Sequence, residues 1–149
     1  MHGSTIFAPL MEFFTFTLPN GIRVIHKQTA RDVSHCGLII NAGSRDELEN
    51  QQGLAHFIEH CIFKGTKRRK TYHILSRLDS VGAEINAYTT KEETCIYGSF
   101  LEIHLERALE LMSDIAFNSV FPEKELNKER EVILDEILSY QDSPGEQIF

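Results

Sequence analysis

The segment His56-Phe57-Ile58-Glu59-His60 contains two histidines that could bind a metal ion and a glutamate that could act as a base beside it. On a helix, residues four apart lie about 40° apart around the axis, so His56 and His60 can offer both imidazoles to one ion. A catalytic zinc ion usually has three protein ligands and one water molecule. Glu59 lies about 60° to the other side of His56, where its carboxylate could accept a proton from that water. We therefore predict that His56 and His60 are metal ligands and that Glu59 is the general base.

The order of these residues is the reverse of the H-E-x-x-H motif of many zinc peptidases. The glutamate precedes the second histidine, which gives a similar geometry if the helix is followed in the opposite direction. The alternative is a pair of helix histidines at the edge of the core with a solvated glutamate between them. Cys61 is interpreted as a packed thiol, and the other histidines lack ligand spacing and are interpreted as non-ligands: His2, His26, His35, His73 and His104.

The last predicted helix offers a third ligand. Glu129 and Glu136 are seven residues apart and share a helical stripe with Val132 and Ile133, which we expect to face the core. A carboxylate on such a stripe is costly unless it is paired or bound to a metal. Zinc held by the histidine helix would be one partner, and salt bridges to nearby basic residues would be the alternative.

The elements that would position these residues are indicated by apolar periodicity and by turn residues. We predict strands over residues 13–18, 22–28, 35–41, 83–90 and 93–100, with a tight turn at Pro19-Asn20-Gly21. We predict helices over residues 51–63, 71–82, 105–116 and 122–140. Gly65 is the expected stop of the first helix, and Thr71 and Gly82 are the expected cap and stop of the second. The expected apolar faces of the second and third helices are Ile74, Leu75 and Leu78, and Leu105, Ala108, Leu109, Met112, Ile115 and Ala116. This order predicts an α+β fold in which an antiparallel sheet packs against helices.

The composition is that of an ordinary globular protein, with 149 residues, 42% hydrophobic and 25% charged. The net charge of −7 argues against nucleic acid and against anionic membranes as partners. Neither a secretory signal nor an apolar run of about 20 residues is apparent. Three cysteines without close pairs are interpreted as reduced thiols, so we predict a cytoplasmic protein. Its length predicts a single domain over residues 1–149.

The sequence resembles the pitrilysin, or insulinase, family of zinc metallopeptidases, which includes mitochondrial processing peptidase. Three separated blocks carry the resemblance: residues 43–66 around the histidine motif, residues 82–89, and residues 129–136. The resemblance implies that Glu136, which is 136 − 60 = 76 residues after His60, is the third Zn²⁺ ligand. It implies that Glu129 lies next to the ligands and orients one of them. It also places Asn86 and Ala87 on an edge strand that pairs with an extended substrate.

The resemblance implies a zinc metalloendopeptidase that hydrolyses extended or unfolded peptides by attack of metal-bound water. Family members have two or more homologous halves, and one half exceeds roughly 200 residues, so the chain is expected to be an N-terminal, incomplete peptidase domain. An arginine and a tyrosine that the family supplies from its second half have no counterpart here. We expect little or no activity from the chain alone, and a second half or an oligomeric partner to complete it. The alternative is a non-catalytic scaffold subunit of a peptidase complex.

Overall fold

The structure is a computed structural model that describes residues 13–141. Its strands are β1 (Phe14–Thr17), β2 (Arg23–His26), β3 (Val33–Ile40), β4 (Glu84–Thr89) and β5 (Thr94–Leu101). Its helices are α1 (Leu54–Cys61), α2 (Thr71–Asp79), α3 (Leu105–Asn118) and α4 (Glu123–Gln141). The chain divides into two compact units between Asp32 and Val33.

The first unit contains the hairpin of β1 and β2, in which Thr17 pairs with Arg23. Gly21 has a φ of +90° and donates its N–H to the Leu18 carbonyl at 2.9 Å. The predicted hairpin and its turn at Pro19-Asn20-Gly21 are confirmed, and Gly21 supplies the positive φ. Within the described residues only glycines have a positive φ, so Asn20 does not have one. The turn is therefore a three-residue loop, residues 19–21, that ends in a left-handed glycine.

The second unit contains an antiparallel sheet with the strand order β3-β5-β4. The central strand β5 places Ile96 and Phe100 on the face that packs against α3, and α2 packs against both α3 and β4. Each fully buried aliphatic side chain contributes about 1.5–3 kcal/mol to this core. The largest fully buried side chains are Ile74, Leu78, Ile96, Leu111, Met112, Ile115 and Cys61. The predicted fold class, an antiparallel sheet packed against helices, is confirmed.

The buried faces of α2 and α3 are narrower than the apolar stripes in their sequences. Leu75 is 50% exposed, and Leu105 and Leu109 are also exposed, so these members of the predicted apolar faces lie outside the core. Leu111, which the prediction omitted, is fully buried beside Met112. Apolar spacing identifies a broad helical face, whereas the shape of the sheet surface decides which part of that face is covered.

Helix α1 is shorter than the predicted 51–63 helix. It begins after Gly53, whose φ of +86° is incompatible with a continuous helix, and it ends at Cys61, four residues before the expected stop at Gly65. Gly82 follows α2 with a φ of +68°, and its N–H donates to the Asp79 carbonyl, so this predicted stop is confirmed. Thr71, predicted to cap α2, is instead its first residue, and its hydroxyl donates to the Lys64 carbonyl.

Helix α4 begins after Pro122, whose carbonyl accepts hydrogen bonds from Glu125 and Leu126. Val132 is 50% exposed, so the expectation that it faces the core is wrong, whereas Ile133 is half-buried. The side of α4 that contacts α1 carries Glu129 and Glu136 as predicted, and Val132 lies outside it. No helix in the described part of the chain has the length and apolar character needed to cross a membrane.

Candidate metal centre

Helix α1 is held at its N-terminus by a glutamate from the preceding loop. The Glu47 carboxylate accepts hydrogen bonds from the Gly53 N–H at 2.8 Å and from the Ala55 N–H at 2.7 Å. These amides lie in the first turn of α1, where no carbonyl within the helix can accept from them. The negative charge also interacts favourably with the positive end of the helix dipole. Glu47 therefore fixes the start of the turn that carries His56.

Three side-chain atoms from two helices converge beside α1. His56 Nε2 lies 3.2 Å from His60 Nε2, and Glu136 Oε2 lies 3.5 Å from His60 Nε2 and 4.0 Å from His56 Nε2. Within the described residues, these three form the group of histidine, cysteine or acidic side chains whose ligand atoms lie close enough to hold one ion. The structure thus brings together the three residues that the sequence predicted as ligands.

The donor set fits a zinc ion in both geometry and chemistry. Three ligand atoms at about 2.0–2.1 Å from a tetrahedral zinc ion are separated from one another by about 3.3 Å. Two of the observed separations, 3.2 and 3.5 Å, lie close to that value. The third, 4.0 Å, requires a small rotation of Glu136, whose side chain is 34% exposed and has room to move. Two neutral imidazoles and one carboxylate form a ligand set that is common at catalytic zinc sites.

Glu129, on α4, lies next to the three convergent atoms and contacts His60 on α1 and Lys64 just after it. Its Oε2 is 3.4 Å from His60 Nδ1, the ring nitrogen that does not point to Glu136. Its Oε1 is 2.6 Å from the Lys64 ammonium, just beyond α1. The Glu129 side chain is only 12% exposed, and each of its two oxygens faces one of these partners.

The other predicted site residues lie nearby but outside this contact network. Glu59 is half-buried on α1, and its carboxylate makes no ion pair or hydrogen bond within residues 13–141. Asn86 and Ala87 lie on β4, which is an edge strand of the described sheet. The Ala87 N–H donates to Asn86 Oδ1 at 2.8 Å. The Thr89 hydroxyl, further along β4, donates to the Ala55 carbonyl at 3.5 Å, which sets this edge beside the histidine helix.

Two residues that organise the site, Lys64 and Glu47, were not singled out from the sequence. Lys64 is four residues after His60, a spacing that would place it on the same face if the helical turn continued. Together with an expected buried acid on the last helix, that spacing could have indicated a Lys64–Glu129 pair. Glu47 gave a weaker signal, because it caps a helix that begins seven residues after it.

Cys61 and the other histidines of the second unit do not belong to the group of three convergent atoms. His35 Nδ1 contacts the Ser99 hydroxyl at 2.8 Å, His73 packs against Tyr72, and His26 belongs to β2. His104 precedes α3, and His2 lies outside the described residues. Cys61 is 1% exposed, as predicted, and burial, with a further effect from Glu129, raises the pKa of its thiol.

Comparison with known proteins assigns the chain to a family. The family described as Insulinase (Peptidase family M16) matches residues 23–149. The chain belongs to the insulinase family. The resemblance noted in the sequence is thereby confirmed, and relatives and solved structures agree with it.

Two relatives illustrate the range of the insulinase family. The uncharacterized zinc protease YmxG of Bacillus subtilis is 39% identical over 133 residues, which cover 88% of this chain and 32% of that protein. Mitochondrial-processing peptidase subunit beta of Mus musculus is 40% identical over 132 residues, which cover 89% of this chain and 27% of that protein. The chain therefore spans about a third or less of the length of such relatives.

Solved structures of proteases share the fold. A protease from Helicobacter pylori superimposes with a TM-score of 0.87 and 29% identity, over 93% of this chain and 34% of that protein. The periplasmic protease PqqL from Escherichia coli gives a TM-score of 0.82 and 30% identity, over 91% of this chain and 16% of that protein. The arrangement of α1, α4 and the sheet is therefore one that insulinase-family proteases use.

Proposed function

We propose that this chain carries the metal centre of a zinc-dependent metalloendopeptidase of the inverted-motif type. The observation that carries the proposal is the convergence of His56 Nε2, His60 Nε2 and Glu136 Oε2 within 4.8 Å of one another. The names of its relatives, which include zinc proteases, support zinc as the ion. A non-catalytic scaffold would not need to retain two histidines and a carboxylate in this arrangement.

The proposed chemistry assigns a separate role to each side chain. Bound zinc would supply a Lewis acid that lowers the pKa of a water molecule toward about 7. Glu59, which has no competing partner within the described residues, would accept a proton from this water and pass it to the leaving amine. Glu129 would hold the His60 ring through Nδ1 and so direct Nε2 toward the ion.

The proposed substrate is an extended or unfolded peptide that adds to the free edge of β4. In an antiparallel pair, alternate residues direct their N–H and C=O groups away from the partner strand. The Ala87 N–H donates to the neighbouring Asn86 side chain, and a substrate carbonyl could replace this short-range acceptor. Because Thr89 contacts the Ala55 carbonyl, a peptide paired with β4 would pass beside the histidine helix.

Zinc stoichiometry tests the metal assignment. The purified chain, stripped of metal and dialysed against zinc, should retain about one zinc per chain by elemental mass spectrometry. His56→Ala should lose this zinc, because two ligands hold the ion far more weakly than three. His73→Ala, a matched loss of an exposed histidine on α2, should retain it. A wild-type chain that retains no zinc would exclude the proposed function.

Turnover tests the catalytic assignment. A partner or a second homologous half is proposed to complete the site, which is supported by relatives named as subunits and by the small share of their length that the chain covers. We therefore expect the zinc-loaded chain to cleave a fluorogenic unfolded peptide slowly or not at all. Any cleavage should disappear in Glu59→Gln. Robust turnover by the wild-type chain, or turnover that survives Glu59→Gln, would contradict these assignments.

The proposed partners and cellular compartment are those predicted from the sequence. An acidic chain with a net charge of −7 is proposed to bind a peptide and neither nucleic acid nor membrane. Cys36, Cys61 and Cys95 are free thiols, which supports a reducing compartment such as the cytoplasm.

A further inference from the structure

Glu129 is a carboxylate shared between a cation and a histidine ring. Its side chain is 12% exposed, with Oε1 at 2.6 Å from Lys64 Nζ and Oε2 at 3.4 Å from His60 Nδ1. A carboxylate this buried is stable only when its oxygens have partners. Because Lys64 occupies one oxygen at short range, the other oxygen is left facing the imidazole.

The backbone of Lys64 is fixed on both sides. Its N–H donates to the Cys61 carbonyl at 3.0 Å, and its own carbonyl accepts the Thr71 hydroxyl at 2.7 Å. The neighbouring Gly65 carbonyl accepts the Val120 N–H at 3.0 Å, which ties the segment to the region after α3. The backbone from which the Lys64 side chain extends is therefore fixed, and this side chain is only 25% exposed.

We propose that Lys64 is a positioning residue for the metal centre. Its ammonium holds the Glu129 carboxylate in the orientation that keeps the His60 proton on Nδ1, so that the lone pair of Nε2 is directed at the ion. The inference rests on the proposed function, because it assigns Lys64 to the same zinc site. Lys64 would act through Glu129, with which its ammonium pairs at 2.6 Å.

If Lys64 acted only through its charge, its removal would change the zinc affinity in the opposite direction. A lysine ammonium near a divalent cation repels it, so a lysine that acted only by its charge would weaken zinc binding. Its removal would then tighten binding. A lysine that orients a carboxylate–histidine pair has the reverse effect, since loss of such supporting contacts typically lowers metal affinity about 10–100-fold. The sign of the change in Kd therefore separates the two roles.

Zinc affinity, measured by competition with a chromophoric chelator, provides the first test. We expect Lys64→Met to raise the zinc Kd about 10-fold or more, and Lys64→Arg to restore most of the affinity. Lys67→Met is the matched control, because Lys67 is exposed, lies three residues after Lys64 and makes no side-chain ion pair within the described residues, so its loss should leave the Kd unchanged. An unchanged or lower Kd in Lys64→Met, with normal zinc binding by the wild type, would overturn the inference alone.

A double-mutant cycle and histidine NMR separate positioning from a general structural role. In a Glu129→Gln background, Lys64→Met should change the zinc Kd by less than about 2-fold, because the residue through which it acts is already altered. In the zinc-free chain, ¹⁵N spectra should show the Nδ1–H tautomer of His60 in the wild type and a mixture in Lys64→Met. Equal effects of Lys64→Met in both backgrounds, or an unchanged tautomer, would refute the assignment. If the wild type did not bind zinc, that result would instead refute the proposed function.

Discussion

His60 faces a carboxylate with each of its ring nitrogens. Nδ1 lies 3.4 Å from Glu129 and Nε2 lies 3.5 Å from Glu136, and the side chain is 21% exposed. His56 is 44% exposed and lies 4.0 Å from Glu136. The two histidines are therefore unequal, because His60 has a carboxylate beside each ring nitrogen, whereas His56 is more exposed and lies farther from Glu136.

The two glutamates nearest the motif should separate metal binding from catalysis. Glu136→Gln should raise the zinc Kd by about 100-fold, since it replaces an anionic ligand with a neutral amide. Glu59→Gln should leave the Kd within about 3-fold of the wild type, because the proposed role of Glu59 is to accept a proton and not to ligate the metal. Chelator competition with both variants measures this difference. Equal losses of affinity would contradict the division of roles.

The residues proposed to carry out the chemistry were more predictable than the residues that hold them in place. Spacing on one helix placed His56, Glu59 and His60 together, because a four-residue separation fixes relative direction. Lys64 lies beyond the end of α1, in a segment whose path depends on hydrogen bonds to Thr71 and to the residues after α3. Such tertiary contacts leave no periodic signal in the sequence.

At the scale of the elements, the segment between α1 and α2 is bound to α3 by hydrogen bonds to the buried carboxylate of Asp114. Asp114 is 3% exposed, and its carboxylate accepts hydrogen bonds from the Thr66 hydroxyl, the Arg69 guanidinium and the Asn118 amide. Burial alone would raise the pKa of Asp114, but the hydrogen bonds from Thr66 and Arg69 and the Arg69 charge outweigh it. The pKa of this carboxyl is therefore held below its usual value.

Loss of this acid should destabilise the protein in a pH-dependent way. Because its pKa is lower when folded, Asp114 contributes stability that is present above about pH 4 and is lost as the pH falls through the folded pKa. Asp114→Asn should reduce the free energy of unfolding by about 3 kcal/mol at pH 7, since it removes the buried carboxylate beside Arg69 and leaves that guanidinium paired only with the more exposed Glu110. Urea unfolding at pH 7 and pH 3 should show this difference shrinking in acid. Asp79→Asn, at an exposed position, is the control, and a difference that grows in acid would contradict the account.

The start of α1 depends on one long-range cap. Glu47→Ala should reduce the free energy of unfolding by about 1 kcal/mol, because two amides in the first turn lose their acceptor. Glu49→Ala removes a neighbouring acid that has no such contact within the described residues, and should change stability by less than about 0.5 kcal/mol. Thermal unfolding of the two variants tests this. Equal effects would show that general charge, not the cap, stabilises the helix.

Element types were predictable from the sequence, whereas their ends and buried faces were less so. All five strands and four helices of the described residues correspond to predicted elements. Helix α1 starts late because Gly53 adopts a left-handed conformation, which a glycine permits but does not require. Val132 is exposed because α4 contacts α1 through the side that carries Glu129 and Glu136, and only the packing partner determines that side.

At the scale of the whole molecule, the second unit leaves large apolar side chains on its surface. On α4, Val132, Leu134, Ile137 and Leu138 are 46–57% exposed. Strands β3 and β4 are the two edges of the described sheet, so each has one side without a neighbouring strand there. Apolar patches and free edges of this kind favour association with another protein surface.

We therefore predict that the purified chain self-associates. Sedimentation should give a weight-average mass that rises above the 17.1 kDa of the monomer between about 1 and 100 μM. Leu138→Glu should shift this association to higher concentration, because it places a charge within the apolar face of α4. Asp135→Glu is a control on the same helix that retains the charge. A mass of 17.1 kDa at every concentration would contradict the prediction.

Anomalous diffraction at the zinc absorption edge tests the metal centre most directly. Crystals of the chain grown with one equivalent of zinc should show a single strong anomalous peak about 2.0–2.2 Å from His56 Nε2, His60 Nε2 and a Glu136 oxygen. Glu59 should lie close to the peak without coordinating it. An absent peak, or one bound elsewhere while Glu136 points away from both imidazoles, would contradict the account.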